Sequence, residues 1–321
     1  MAMTKEQIEE CARIICEARV QNHFVDNLPD ALVPKTLPEG YAVQKRVLAL
    51  QGVPTAGYLL GLTNEYMQKI FGVNGPYYSP ILKTNIHASP ARFARGALLT
   101  RGLECEVVFR MAADLPPRGA PYALDEVADA VATMHPGIEI VNAHFPNWLD
   151  LPMPLIAADN GTDGPLVVGT GISDWRRIDR VSLPVVLYVN GEIAAQGSGG
   201  NALGDPLKAL SWLANELNAK GTGLKAGETI NTGTCAKLIP ANEGDEVRAS
   251  FGALGEVRIR FEACAARPGD LARTPGSEPA YYFAAMASIS TTISGAARPS
   301  TTTSVEVGLQ SLPIIFSRAT R

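Results

Sequence analysis

The segment Leu103–Phe109, Leu-Glu-Cys-Glu-Val-Val-Phe, constrains the fold of this chain more than any other stretch. Successive side chains of a strand point to opposite faces, so Glu104 and Glu106 share one face while Leu103, Cys105, Val107 and Phe109 share the other. Two carboxylates side by side repel each other, and one stays protonated unless a cation neutralises both. One reading is the solvated face of an antiparallel strand. The other is a hard-metal site, which needs a third oxygen ligand. Glu139 offers one. It stands between Ile138 and Ile140 in the apolar run His-Pro-Gly-Ile-Glu-Ile-Val (135–141), where an acid is rarely buried without a partner.

With 321 residues and a net charge of −4, the chain can hold one large domain or two small ones and a sizeable core. Both signs of charge are scattered, which argues against a nucleic-acid partner. No apolar run approaches a membrane span, so no membrane association is expected. The first 20 residues read as an amphipathic helix, with Thr4 and Gln7 in capping-box spacing, rather than as a secretion signal. Five cysteines, Cys11, Cys16, Cys105, Cys235 and Cys264, include no Cys-x-x-Cys pair. A reduced, cytoplasmic protein with buried thiols is the simplest account, and zinc is disfavoured.

The pattern predicts an α+β protein in three parts. Residues 1–56 form a helical N-terminal region, with the capped first helix and a second near Tyr41–Leu50. Residues 57–263 form a β-rich domain. It begins with a buried strand at Gly57–Leu62 and a brief helix capped by Thr63 or Asn64. Gly72–Pro90 lacks periodicity and reads as a long ordered loop. After the carboxylate strand come a helix over Leu124–Met134, a second apolar strand over Gly137–Asn142, a polar elbow at Ile156–Thr162 and a strand at Gly164–Gly169. Asn190-Gly191 marks a hairpin between Val185–Val189 and Glu192–Gln196. Asp205 and Pro206 open a helix that runs to Lys220. The glycine-rich stretch before it lacks the Gly-Lys-Ser/Thr ending of a nucleotide loop, which excludes ATP and GTP there. Strands at Gly227–Gly233, Glu246–Phe251 and Glu256–Phe261 complete the domain. Residues 264–321 are rich in Ala, Ser, Thr and Pro, and are expected to be a disordered tail.

Taken together, Gly61-Leu62-Thr63, Gly72-Val73, Gly102-Leu-Glu-Cys-Glu106, Ile138-Glu139-Ile140-Val141, Ala158-Asp159-Asn160, Gly204-Asp-Pro206, Thr232-Gly233 and Gly244-Asp245 resemble the hydratase/decarboxylase branch of the fumarylacetoacetate hydrolase superfamily. The resemblance runs from the first helix to about Phe261. It implies a helical N-terminal region followed by a mixed β-roll of the family's C-terminal-domain type. It also implies that Glu104, Glu106 and Glu139 hold a divalent cation. Three carboxylates with no His or Cys suit Mg²⁺ or Mn²⁺. The implied substrate is a small 2-oxo acid, chelated through its oxo and carboxylate oxygens. The implied reaction is hydration of a 2-hydroxy-2,4-dienoate in meta-cleavage degradation of aromatic compounds. Decarboxylation of an oxalocrotonate-like acid and acylpyruvate-type C–C hydrolysis are the alternatives. A homo-oligomer and a complex with a pathway enzyme are the protein partners expected.

Two positions depart from the family. Its lysine in Gly-x-Lys-x-Gly falls here on Leu59, and its acid in a run ending Asp-Met falls on Thr84. A leucine neither transfers a proton nor binds a carboxylate. Three readings compete: acid–base chemistry rewired onto Lys83 with His87, a different reaction of the superfamily, or a non-catalytic subunit that binds metal and ligand. Asp159, Thr162 and Thr232, with Leu59 and Thr84, are the remaining expected substrate contacts. His144, just past the Glu139 strand, is more readily structural than catalytic.

Overall fold

The computed structural model describes residues 2–263; the expected disordered tail lies outside the described residues. The chain opens with α1 (Lys5–Gln21), closed at its start by the Thr4/Gln7 capping box. A second capping box, Thr36/Glu39, starts α2 (Leu37–Gln51) four residues before the expected Tyr41. Pro38 and Gly40 read as breakers in sequence, yet proline is tolerated in a first helical turn. Gly40 meets the backbone of a later segment so closely that a Cβ there would lie 2.3 Å from the Pro154 oxygen.

Next come β1 (Thr55–Gly61), α3 (Glu65–Ile70), β2 (Tyr77–Leu82), β3 (Ile86–Ala88) and β4 (Ala91–Phe93). The expected loop over Gly72–Pro90 is therefore largely strand. Pro80 hid it, but β2 ends its sheet, and an edge strand tolerates a missing N–H donor. The carboxylate strand is β5 (Gly102–Met111), followed by α4 (Leu124–Asp129) and β6 (Val131–Val141). The expected helix to Met134 stops at Asp129 because Val131–Thr133 pair with β5 instead. Beyond them lie α5 (Met153–Ala158), β7 (Leu166–Val168), β8 (Pro184–Val189), β9 (Glu192–Ser198) and α6 (Pro206–Ala219). Asp205 caps α6 as expected, accepting from the Leu207 N–H at 2.9 Å. The chain continues through β10 (Thr229–Thr234), β11 (Ile239–Pro240), β12 (Glu246–Ser250) and β13 (Glu256–Phe261).

The strands form two sheets. The larger runs β2-β1-β10-β5-β6-β7-β3, with β11 beside β5; the smaller runs β4-β13-β12-β8-β9. Leu103, Cys105, Val107 and Phe109 from one face of β5 join Val247, Ala249, Val257 and Ile259 of the small sheet and Leu210 and Leu213 of α6 in the main core. Cys105 thus points away from the glutamates, as strand alternation requires. The opposite face of β5 carries Glu104 and Glu106. Over its middle, Met153 and Ile156 of α5 close on Leu59, Val108 and Leu166.

The N-terminal helices belong to the same compact unit as the sheets. Ile15, Val43 and Val47 pack with Leu155 and Ala158 of α5. A buried ion pair reinforces this contact: Arg19 of α1, with 4% of its side chain exposed, bridges Asp159 and Asp163. Removing one partner of such a cluster leaves buried charge without compensation. Arg19→Met should therefore cost about 3–5 kcal/mol, read as a lower urea midpoint at unchanged slope.

Candidate metal centre

Register brings the three acids together. In the antiparallel pair β5–β6, Glu104 lies directly opposite Glu139, and Glu106 lies opposite Gly137. Opposed residues on one face of such a pair have Cβ atoms about 5 Å apart, and one carboxylate oxygen from each glutamate falls within 4.8 Å of the others. Glu106 and Glu139 are buried and Glu104 is half-buried.

Strand β10 supplies the donors. The Gly233 N–H donates to Glu106 Oε2, and Asn231 Nδ2 donates to Glu139 Oε2 at 2.6 Å. Gly233 adopts φ 95°, a conformation costly for side-chain-bearing residues, and a Cβ there would lie 1.9 Å from Thr63 Oγ1. These two hydrogen bonds do not offset the confinement of three negative groups. Burial raises the Glu104 carboxyl to about 7. Burial, then the charges of Glu139 and Glu104, push Glu106 well above the usual carboxylate range. Burial, then Glu104 and Asp163, do the same to Glu139 against the Asn231 hydrogen bond. A bound cation reverses that balance. The donor set is all oxygen and carries no thiolate or imidazole, so it fits a hard dication.

Leu59 lies beside this set. It pairs with Asn231 across β1–β10 and forms part of the apolar floor with Val108 and Leu166. Tyr77 overlooks the cluster from the edge strand. It pairs with Gly61, where a Cβ would sit 2.2 Å from its ring. Burial, followed by the charges of Glu139 and Glu104, raises its hydroxyl well above the usual range.

The other expected site residues are placed differently. Lys83 and Thr84 are exposed in the 3-10 turn Lys83–Asn85, which argues against an ammonium reaching the buried carboxylates. His87 pairs with Val167, whereas Glu139 pairs with Leu166, so alternation turns the imidazole to the opposite face. It meets Phe93 edge-on at 5.3 Å. The expected Lys83–His87 acid–base pair is thus not assembled. Asp159 is buried and spends its carboxylate on Arg19 and on the N–H and imidazole of His144. Thr162 donates its hydroxyl to the Gly161 carbonyl at 2.6 Å. Thr232 donates to the Val107 carbonyl at 2.7 Å. These three polar groups tie the wall together, and His144 takes part in it through Asp159.

Sequence reasoning missed Asn231 and Tyr77. The only signal for Asn231 is an amide in the strand Thr-Ile-Asn-Thr, a residue type depleted from strands. Tyr77 was concealed within a stretch read as loop. The expected polar elbow proves to be the end of α5 followed by three left-handed residues, Asn160 (φ 52°), Gly161 (φ 73°) and Thr162 (φ 59°). The Tyr77 hydroxyl lies 3.4 Å from the Gly161 carbonyl.

Comparison with known proteins agrees with this architecture. A 2-keto-4-pentenoate hydratase of Paraburkholderia xenovorans (strain LB400) is 28% identical over 265 residues, which cover 81% of this chain and 97% of the relative. A 2-hydroxyhexa-2,4-dienoate hydratase of Comamonas testosteroni is 28% identical over 250 residues, covering 76% and 92%. A solved structure of 4-oxalocrotonate decarboxylase from Pseudomonas putida G7, complexed with magnesium and adipate, superposes with a TM-score of 0.75 at 26% identity, covering 81% of this chain and 99% of that one. Residues 84–262, more than half of the sequence, match the fumarylacetoacetate (FAA) hydrolase C-terminal family. The chain therefore belongs to the fumarylacetoacetate hydrolase family, with the helical N-terminal layer and β-roll that its sequence led us to expect.

Proposed function

We propose that this protein is a divalent-metal-dependent hydratase that adds water to a 2-hydroxy-2,4-dienoate, the enol form of a 2-oxo-4-enoate, in meta-cleavage breakdown of aromatic compounds. The observation that carries the proposal is the convergence of Glu104, Glu106 and Glu139 on one sheet face, in a chain similar over most of its length to dienoate hydratases. On this reading the three glutamates hold Mg²⁺ or Mn²⁺. When bound, such a cation supplies a Lewis acid for the oxo oxygen of a small 2-oxo acid. The remaining roles fall to the chain itself. Asn231 and Gly233 fix the carboxylates, and Leu59, Val108 and Leu166 provide an apolar floor. Tyr77 brings a hydroxyl to the edge of the cluster. The same reading implies a cytoplasmic enzyme that associates with copies of itself. No helix among the described residues is long and apolar enough to cross a membrane.

Decarboxylation of an oxalocrotonate-like acid is the second reading, and one observation favours it. Leu59 is buried and Thr84 exposed, so the two positions that depart from the family offer no titratable group to activate water. Loss of CO₂ requires an electron sink but no such base. The assay that decides follows 2-hydroxypenta-2,4-dienoate absorbance in Mg²⁺ against the spontaneous rate, with CO₂ release from 4-oxalocrotonate measured in parallel. Accelerated dienol loss is expected. CO₂ release alone selects the decarboxylase, and neither activity alongside intact metal binding selects a non-catalytic subunit.

Two consequences bear on the metal directly. Glu106→Gln should abolish Mn²⁺ binding by calorimetry while leaving the fold; unchanged affinity would remove the site. The raised carboxyl values also set a pH dependence. Acids whose folded values lie above their unfolded ones, about 4.3 for glutamate, lend stability at low pH and lose it as pH rises through the folded values. With Glu104 raised to about 7 and Glu106 and Glu139 raised well above their usual range, the metal-free protein should melt at a lower temperature at pH 8 than at pH 5. Saturating Mg²⁺ should reverse this trend.

A further inference from the structure

We propose that Asn231 is a positioning residue that confines Glu139 to one-oxygen ligation and so biases the centre toward a small octahedral dication over Ca²⁺. The inference rests on the metal-centre reading above.

Asn231 is 1% exposed and stands on β10 between two apolar neighbours, Leu59 on one side and Val108 on the other. An amide buried there is costly unless its polar atoms are used. One atom is. Nδ2 donates to Glu139 Oε2 at 2.6 Å, a charge-assisted bond when the carboxylate is ionised. The reverse orientation would set the amide oxygen against a carboxylate oxygen, so the nitrogen belongs on the Glu139 side. Two residues further along the same strand, the Gly233 N–H takes Glu106 Oε2. Strand β10 therefore engages Oε2 of two of the three carboxylates, which biases each toward presenting Oε1 to a ligand. Carboxylates held to one oxygen suit Mg²⁺, which takes six ligands near 2.0–2.1 Å, better than Ca²⁺, which takes six to eight and often binds carboxylates through both oxygens.

The other amide atom is a second unsettled feature of the same side chain. Asn231 Oδ1 is buried with no hydrogen-bond partner among the described residues. An acceptor left unmade in such surroundings is expensive, and it lies on the group that grips Glu139. Mg²⁺ dehydrates reluctantly and keeps several waters, so a hydrated ion brings the O–H donors this atom lacks. Outer-layer partners of this kind orient metal ligands, and their loss typically weakens metal affinity.

The test needs no substrate. Metal-free wild type, Asn231→Leu and Asn231→Ser are titrated calorimetrically with Mg²⁺ and Ca²⁺, and a melting curve of each metal-free form verifies folding. Asn231→Leu should weaken Mg²⁺ by about 10- to 100-fold and Ca²⁺ by less, so the Ca²⁺-to-Mg²⁺ affinity ratio rises. Asn231→Ser, which keeps a hydroxyl donor on a shorter side chain, should show a smaller shift in the same direction, and it carries the test if the leucine variant does not fold. Wild-type Mg²⁺ affinity with an unchanged ratio in the folded variants overturns the role of Asn231 and leaves the metal centre standing. Failure of the wild type to bind either ion overturns both.

Discussion

Mutual repulsion among three carboxylates crowded on one sheet face is the constraint on which the rest of this structure turns. The β5–β6 register makes it unavoidable, because Glu104 and Glu139 are set directly opposite each other. The layer above makes it severe, because α5 and the residues around it close over the same sheet face. Charge confined in this way is usually paired or bound to a metal. Here, among the described residues, β10 gives the cluster an amide N–H and a backbone N–H. Local rules broken at such cost tend to mark functional sites. The glycines that make room, Gly233 for its hydrogen bond and Gly61 for the Tyr77 ring, are part of the same arrangement.

The acids themselves were legible in the sequence because strand alternation is a rigid rule. Once Leu103–Phe109 was extended, Glu104 and Glu106 had to share a face, and an isolated Glu139 between isoleucines had to find company. The Asn190-Gly191 hairpin and the capped helices α1 and α6 were legible for similarly local reasons. What lay beyond reach was set by tertiary contact. Residues 131–133 can join a helix or a strand, and pairing with β5 decided between them. Strand β2 contains Pro80 and reads as loop until its edge position is known. Asp159 attracted attention as a possible ligand contact, yet its charge is answered by Arg19, 140 residues away in sequence.

The departures at Leu59 and Thr84 take on a different meaning in three dimensions. Leu59 does not leave a hole; it fills a floor shared with Val108, Leu166 and Ile156. Polarity beside it comes from Asn231, its neighbour across the strand pair, and from Tyr77 on β2, separated from β5 by β1 and β10. Both are neutral groups, neither an ammonium nor a carboxylate. On the β1–β2 side, the three carboxylates therefore face neutral groups.

The ion pair between Arg19 and Asp159 and Asp163 has a consequence for where this protein begins and ends as a working object. Asp163 is one of the charges felt by Glu139, and the guanidinium that compensates it comes from the first helix. Leu59 and Tyr77 also precede residue 84, where the family match starts. The segment matched by the family model is consequently smaller than the segment that surrounds the carboxylates. Any relative that dispensed with this N-terminal layer would have to find another counterion for that aspartate and another surface to pack against α5.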